Sequence, residues 1–231
     1  MKVDIGIIGA MAPEVEALIS ALDEKECEQV SGITIYTGKL YGRRVAIAKC
    51  GIGKVFAALC AQTIILKYSP SLLVNTGVGG ALASGITTGD IVIADSLCQH
   101  DMDTSAIGDP VGLVSGINRI YFEADRRATD ILLSAATDLG LKARLGRIAS
   151  GDKFIASAED KARINSIFSA DACEMEGCAI AQVAFVNNTP FAVVRAISDS
   201  ADGEATMDYP TFLPLAARNS TNLTLALVKK W

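Results

Sequence analysis

Short β-branched runs alternate with longer segments of helical period along the whole chain, and no repeat or low-complexity linker interrupts them. Strands and helices in regular succession assemble into a parallel or mixed sheet with helices on both faces, so this alternation constrains the fold more than any other feature. The strand runs cover residues 3–9, 33–37, 44–50, 72–76, 90–95, 143–150, 172–174 and 191–197, several of them apolar throughout, as doubly buried strands are. Apolar spacing of three and four marks helices at 13–22, 54–67, 125–139, 158–168, 176–187 and 209–228, and Pro13 suits a first helical turn. The expected fold is α/β, a single domain over residues 1–231 with a mixed central β-sheet flanked by helices. Ligands of such sheets collect beyond the carboxyl ends of strands, and chemistry is expected there.

Composition limits the partners. Half of the 231 residues are hydrophobic, enough to fill a core between two helix layers. The net charge is -5 and the Lys and Arg residues are scattered singly, so no nucleic-acid groove is expected. No apolar run approaches the roughly 18 residues of a membrane span, and the N-terminus lacks a signal-like stretch, so the expected location is cytoplasmic with no membrane partner. Six cysteines without a C-x-x-C pair, beside a single histidine, make a metal site improbable; the thiols are expected to pack as small buried hydrophobes.

Several motifs fail on inspection. Gly51-Ile52-Gly53-Lys54 lacks the spacing of a phosphate loop, and Val55 stands where a magnesium-binding hydroxyl belongs. Gly77-Val78-Gly79-Gly80-Ala81-Leu82 follows a strand, but Leu82 occupies the third glycine position of the dinucleotide fingerprint. No serine sits in a nucleophile elbow. His100, in an expected loop, reads as a structural hydrogen-bonding residue rather than a catalyst.

Carboxylates remain. Glu14, Glu176 and Asp199 each come just past a strand, on the expected ligand-facing edge. Each alone has a structural explanation, since Glu14 and Glu176 suit helix N-termini and Asp199 suits a turn. Together they carry more weight, because Arg195 to Asp199 brings a cation and a carboxylate out of an apolar strand where unpaired charge is costly. Two glycine-rich segments, read as loops at 6–11 and 75–80, would let a flat ligand approach the backbone.

With Gly6-Ile7-Ile8-Gly9-Ala10-Met11 and Glu14, Gly51-Ile52-Gly53-Lys54-Val55, Asn75-Thr76-Gly77, Gly89-Asp90-Ile91-Val92, Ser150-Gly151-Asp152-Lys153-Phe154-Ile155, Glu174-Met175-Glu176 and Arg195-Ala196-Ile197-Ser198-Asp199, the chain resembles the 5'-methylthioadenosine/S-adenosylhomocysteine nucleosidases over nearly its whole length. These belong to the nucleoside phosphorylase superfamily, whose mixed sheet surrounded by helices agrees with the element order. The resemblance implies hydrolysis of an N-glycosidic bond, adenine as product, no cofactor and no metal. It implies that Asp199 protonates purine N7 with Ser198 orienting it, that Glu14 activates the attacking water, and that Glu176 holds the ribose hydroxyls. Arg195 would fix the water or the carboxylates around it. Met11 and Met175 would line the sugar pocket, with Ile52 and Val78 also on the substrate. Phe154 would stack on adenine, Ile155 would read its edge, and Tyr209 would close over the alkylthio end.

Taken without that context, Met11, Phe154, Ile155 and Tyr209 read as ordinary core. Glu174 stays outside the catalytic set, either supporting the water or pairing with Arg195. Val78 departs from the small hydroxyl residue of many relatives. Residues 102–116 match weakly, and in the family that region completes a neighbouring subunit's pocket, so a homodimer is expected. The alternatives are a futalosine-type nucleosidase, a phosphate-dependent phosphorylase and a nucleoside-binding sensor.

Overall fold

The computed structural model describes residues 2–201 and 205–231, apart from the side chains at 206 and 207. Its strands are β1 (Ile5–Gly9), β2 (Asp23–Val30), β3 (Ile33–Leu40), β4 (Arg43–Lys49), β5 (Leu72–Ala81), β6 (Ile91–Gln99), β7 (Phe122–Glu123), β8 (Ala143–Ser150), β9 (Ala172–Glu174) and β10 (Phe191–Asp199). The helices are α1 (Ala12–Ser20), α2 (Lys54–Tyr68), α3 (Arg126–Asp138), α4 (Ala158–Phe168), α5 (Gly177–Val186) and α6 (Ala205–Lys230).

All strands join one mixed sheet in the order β10-β6-β8-β9-β5-β1-β4-β3-β2, with β7 paired to β6. A further pairing of β10 with β5 turns the first five of these into a closed ring, from which β1 to β4 extend as a flap. One apolar layer packs beneath α2 and α5, with Ile8, Ile64, Leu73 and Ile180 at its centre. The opposite layer packs beneath α1, α3 and α6 around Ile7, Leu18, Leu132 and Leu223. Burial on both faces explains why β1, β5 and β10 are apolar without alternation.

The structure departs from the sequence expectations at definite places. Residues 77–80, expected as part of a glycine-rich loop, continue β5: β10 pairs along one side of them, while on the other β9 takes up Gly80 and Glu14 accepts the Val78 N–H. Residues 6–9, which fall both in the expected strand 3–9 and in the glycine-rich segment 6–11, lie inside β1 between β4 and β5. β2 was not anticipated: it is a charged edge strand, exposed along almost its whole length, and carries no apolar alternation. Cys27, on that strand, is exposed, whereas the other five cysteines are buried. His100 is buried, yet neither ring nitrogen has a hydrogen-bond partner among the described residues, contrary to a hydrogen-bonding role. Burial pushes its pKa down, which keeps the ring neutral. Among the described residues no helix is long and apolar enough to cross a membrane.

Candidate active site

A cavity of about 260 Å3 opens where β1, β5, β9 and β10 converge. Parallel β1, β5 and β10 bring their carboxyl-terminal halves to it. β9 arrives differently from the expected common edge: it runs antiparallel to β5, so its carboxyl end returns from Ala81 past Gly80 into the site.

Glu14, in the first turn of α1, is 3% exposed and held on both carboxylate oxygens. Its Oε2 accepts the N–H groups of Ala10 at 2.7 Å and Met11 at 2.9 Å, reaching back over the helix start as a third-position glutamate does. Its Oε1 accepts the Val78 N–H at 3.1 Å. Gly77 makes this approach possible, because a Cβ there would stand 2.5 Å from Oε1. Burial raises the Glu14 pKa against the opposing influence of Arg195 and the three N–H groups.

Behind the cavity lies a locked ion pair. Arg195 extends from mid-β10 and bonds Glu174 and Asn75, while its Nη2 stands 3.8 Å from Glu176. It does not itself border the cavity; it bonds Glu174 and stands beside Glu176, which do. Glu174 also takes the Ser150 hydroxyl and the N–H groups of Glu176 at 3.0 Å and Gly177 at 2.7 Å, at the positive end of α5. Burial pushes the Glu174 carboxyl up, but Arg195, Ser150 and the Gly177 N–H outweigh it and hold the group below its ordinary range.

This fixed anion acts on its neighbour. Burial, and then the charge of Glu174, push Glu176 from 4.5 up to about 7. Between pH 4.5 and about 7 the folded chain therefore retains a proton that the unfolded chain releases. The corresponding stability is present in full below pH 4.5 and is lost as pH rises through about 7. Glu176→Gln removes the buried anion, so its melting temperature relative to the parent should climb between pH 5 and pH 8, as read by calorimetry at each pH. A constant difference across that range would contradict the assignment.

At the far end of β10, a register shift between Ile197 and Asp199 sets Asp199 opposite Gly80. Asp199 is 2% exposed; its Oδ2 takes the Ser198 hydroxyl at 2.9 Å and its Oδ1 the Ala201 N–H at 2.9 Å. Glu14 meets β5 at Val78 and Asp199 meets it at Gly80, two residues or roughly 7 Å along the strand.

The cavity wall gathers the other expected residues. Met11, Val78, Met175 and Ser198 line its interior together with Glu14, Glu176 and Asp199. Phe154, Ile155, Ile52 and Tyr209 complete it; Phe154 packs edge-on to Tyr209 at 5.5 Å, and the Tyr209 hydroxyl donates to Met11 Sδ at 3.1 Å. Ala10, Gly79 and Gly80, from the two glycine-rich segments expected to meet a ligand, also line this wall; Lys153 and Cys173 were not expected there, and Glu174, left outside the catalytic set, borders the space too. Cys173 had a legible signal, since it precedes Met175 by two residues, the spacing that shares one face of an extended segment. Its thiol is pushed well above the ordinary range by burial, so it is an inert wall rather than a nucleophile.

The sequence pattern of the phosphorylase superfamily matches residues 4–229. A 5'-methylthioadenosine/S-adenosylhomocysteine nucleosidase from Haemophilus influenzae (strain 86-028NP) is 40% identical over 227 residues, covering 98% of each chain. The chain belongs to this nucleosidase family. The crystal structure of a member from Neisseria meningitidis in complex with methylthio-immucillin-A has a TM-score of 0.96 at 36% identity, with 99% of each chain covered. The native futalosine hydrolase of Helicobacter pylori strain 26695 is also similar, with a TM-score of 0.94 at 32% identity over 99% of this chain and 98% of that one. The nucleosidase family and this hydrolase therefore share one scaffold.

Proposed function

We propose that the chain hydrolyses the N-glycosidic bond of 5'-methylthioadenosine and S-adenosylhomocysteine, releasing adenine and the thioribose product. The observation that carries the reading is that Glu14, Glu176 and Asp199, far apart in sequence, border one cavity. Breaking the bond builds positive charge on the ribosyl ring and negative charge on the departing purine. Asp199 protonates N7 of the purine, with the Ser198 hydroxyl and the Ala201 N–H fixing its carboxyl. Glu14, its oxygens pinned by three N–H groups, deprotonates the water that attacks C1'. Glu176 accepts from the ribose hydroxyls, and Glu174 with Arg195 holds that arrangement rigid from behind. Phe154 and Ile155 receive the purine, and Met11, Ile52 and Tyr209 receive the alkylthio group, where polarizable apolar contact suits sulfur.

Water rather than phosphate is the nucleophile in this reading. Among the described residues Lys153 is the one cation on the cavity wall, and its Nζ is bonded to Asp160 at 2.7 Å with its side chain largely exposed. Phosphate needs a cationic cradle, and Glu14 would repel it. The futalosine-type alternative keeps the chemistry and changes the 5' group. A panel of adenine and futalosine-type nucleosides differing at C5' separates them: the reading expects the highest kcat/KM on the alkylthio substrates, and a preference for the futalosine substrate would overturn it.

We further propose a homodimer. α2 exposes Val55, Phe56, Leu59 and Leu66, and Ile107, from the segment expected to reach a neighbour's pocket, is 82% exposed. Sedimentation of a fully active monomer would reject the dimer.

A further inference from the structure

Helix α2 starts in an unusual way. Its cap is Gly53, whose φ of 101° favours glycine, and it has neither a capping side chain of its own nor an acidic residue in its first turn. A helix of 15 residues concentrates unpaired N–H groups and positive charge at that end, and they need acceptors. Two carboxylates from far along the chain supply them: Glu176 Oε1 accepts the Gly53 N–H at 3.0 Å, and Asp152 Oδ1 accepts the Lys54 N–H at 2.8 Å.

Asp152 is braced in turn. Its own N–H donates to Asp101 Oδ2 at 2.9 Å, and Lys54 Nζ donates to Asp101 Oδ1 at 2.6 Å and to Gln99 at 3.0 Å. Asp152 immediately precedes Lys153, Phe154 and Ile155, which border the cavity with Glu176; the nucleosidase reading assigns Phe154 and Ile155 to the purine and Glu176 to the sugar. One helix end is thus tied to both halves of the site, through a residue that does not itself border the cavity.

We propose that Asp152 is a positioning residue, which caps α2 from outside the helix and thereby holds the purine-side segment in register with the sugar-side carboxylate Glu176. The proposal rests on the nucleosidase reading above and deepens it. Without the Asp152 acceptor, the segment 152–155 loses its direct bond to the start of α2 and is joined to it only through Asp101 and the Lys54 side chain. Phe154, 42% exposed, then keeps the edge contact with Tyr209 as its aromatic restraint. The loss falls on recognition of the purine in the ground state more than on the chemical step.

The test compares Asp152→Ala with Asp152→Asn in the full chain, measuring kcat and KM on methylthioadenosine and the Kd of free adenine by calorimetry. A hydrogen bond to a charged acceptor justifies an expected rise of about tenfold in both KM and adenine Kd for the alanine variant. Its kcat should stay within about threefold, and the asparagine variant, which keeps an acceptor oxygen, should stay within about threefold of the parent throughout. A lower melting temperature with unchanged KM and adenine Kd would overturn the proposal, as would an asparagine variant as impaired as the alanine one. Should the alanine variant not fold, Asp101→Ala removes the brace and should raise adenine Kd in the same direction; an unchanged Kd there would also overturn it. Adenine binding needs no turnover, so an inactive parent chain would sink the nucleosidase reading while this comparison still decides the role of Asp152.

Discussion

Asp199→Asn should fold with an unchanged melting profile near neutral pH and lose about 10²–10⁴ in kcat/KM, roughly 3–5 kcal/mol of transition-state stabilisation. The size follows from what the side chain does. A purine leaving as an anion is a poor leaving group, and protonation at N7 removes that cost in the transition state. Asparagine keeps the shape: its carbonyl oxygen can accept the Ala201 N–H, and the Ser198 hydroxyl, which also reaches the Gly79 carbonyl, can turn to accept from the amide NH2. It cannot transfer a proton. The loss should therefore sit in kcat, with KM and adenine Kd little altered. Steady-state kinetics with a parallel thermal melt check it; turnover near that of the parent would remove Asp199 from the role of general acid.

Glu14→Gln should abolish measurable hydrolysis, a loss on the order of 10²–10⁴ or more, and added phosphate should not restore it. The carboxylate is fixed by the N–H groups of Ala10, Met11 and Val78, so its oxygens point to one place and serve one reactant. A glutamine must turn its amide so that the NH2 faces N–H donors on one side, which disturbs the site as well as removing the base. Adenine release followed with and without phosphate distinguishes the cases. Recovery with phosphate would mean that the carboxylate had been excluding an anion rather than activating water.

Much of this was legible in the residues because the physics was local. Glu14 follows an apolar strand and opens a helix, so its place at the cavity followed from order alone. Asp199 ends an otherwise apolar, buried strand from which a cation also emerges, and unpaired charge in such a strand demands partners. Arg195 meets the same demand through Glu174, one of the two roles left open for that residue, and does not itself border the cavity. Residues 77–80 read as a loop because glycine has no side-chain pattern to display; that they form a strand depends on β10 and β9, which are distant in sequence. β2 was illegible for the opposite reason, since an edge strand is protected by charge and so lacks the alternation that announces a strand. The cap that Asp152 provides for α2 joins positions 98 residues apart, beyond any local rule.

The account turns on water as the nucleophile at a site where an acid and a base face one cavity. The most direct measurement is adenine release from methylthioadenosine in phosphate-free buffer, with the sugar product then identified in buffer containing phosphate. The account predicts full activity without phosphate and a free reducing thioribose in both buffers. A strict requirement for phosphate, with the sugar 1-phosphate as product, would contradict it.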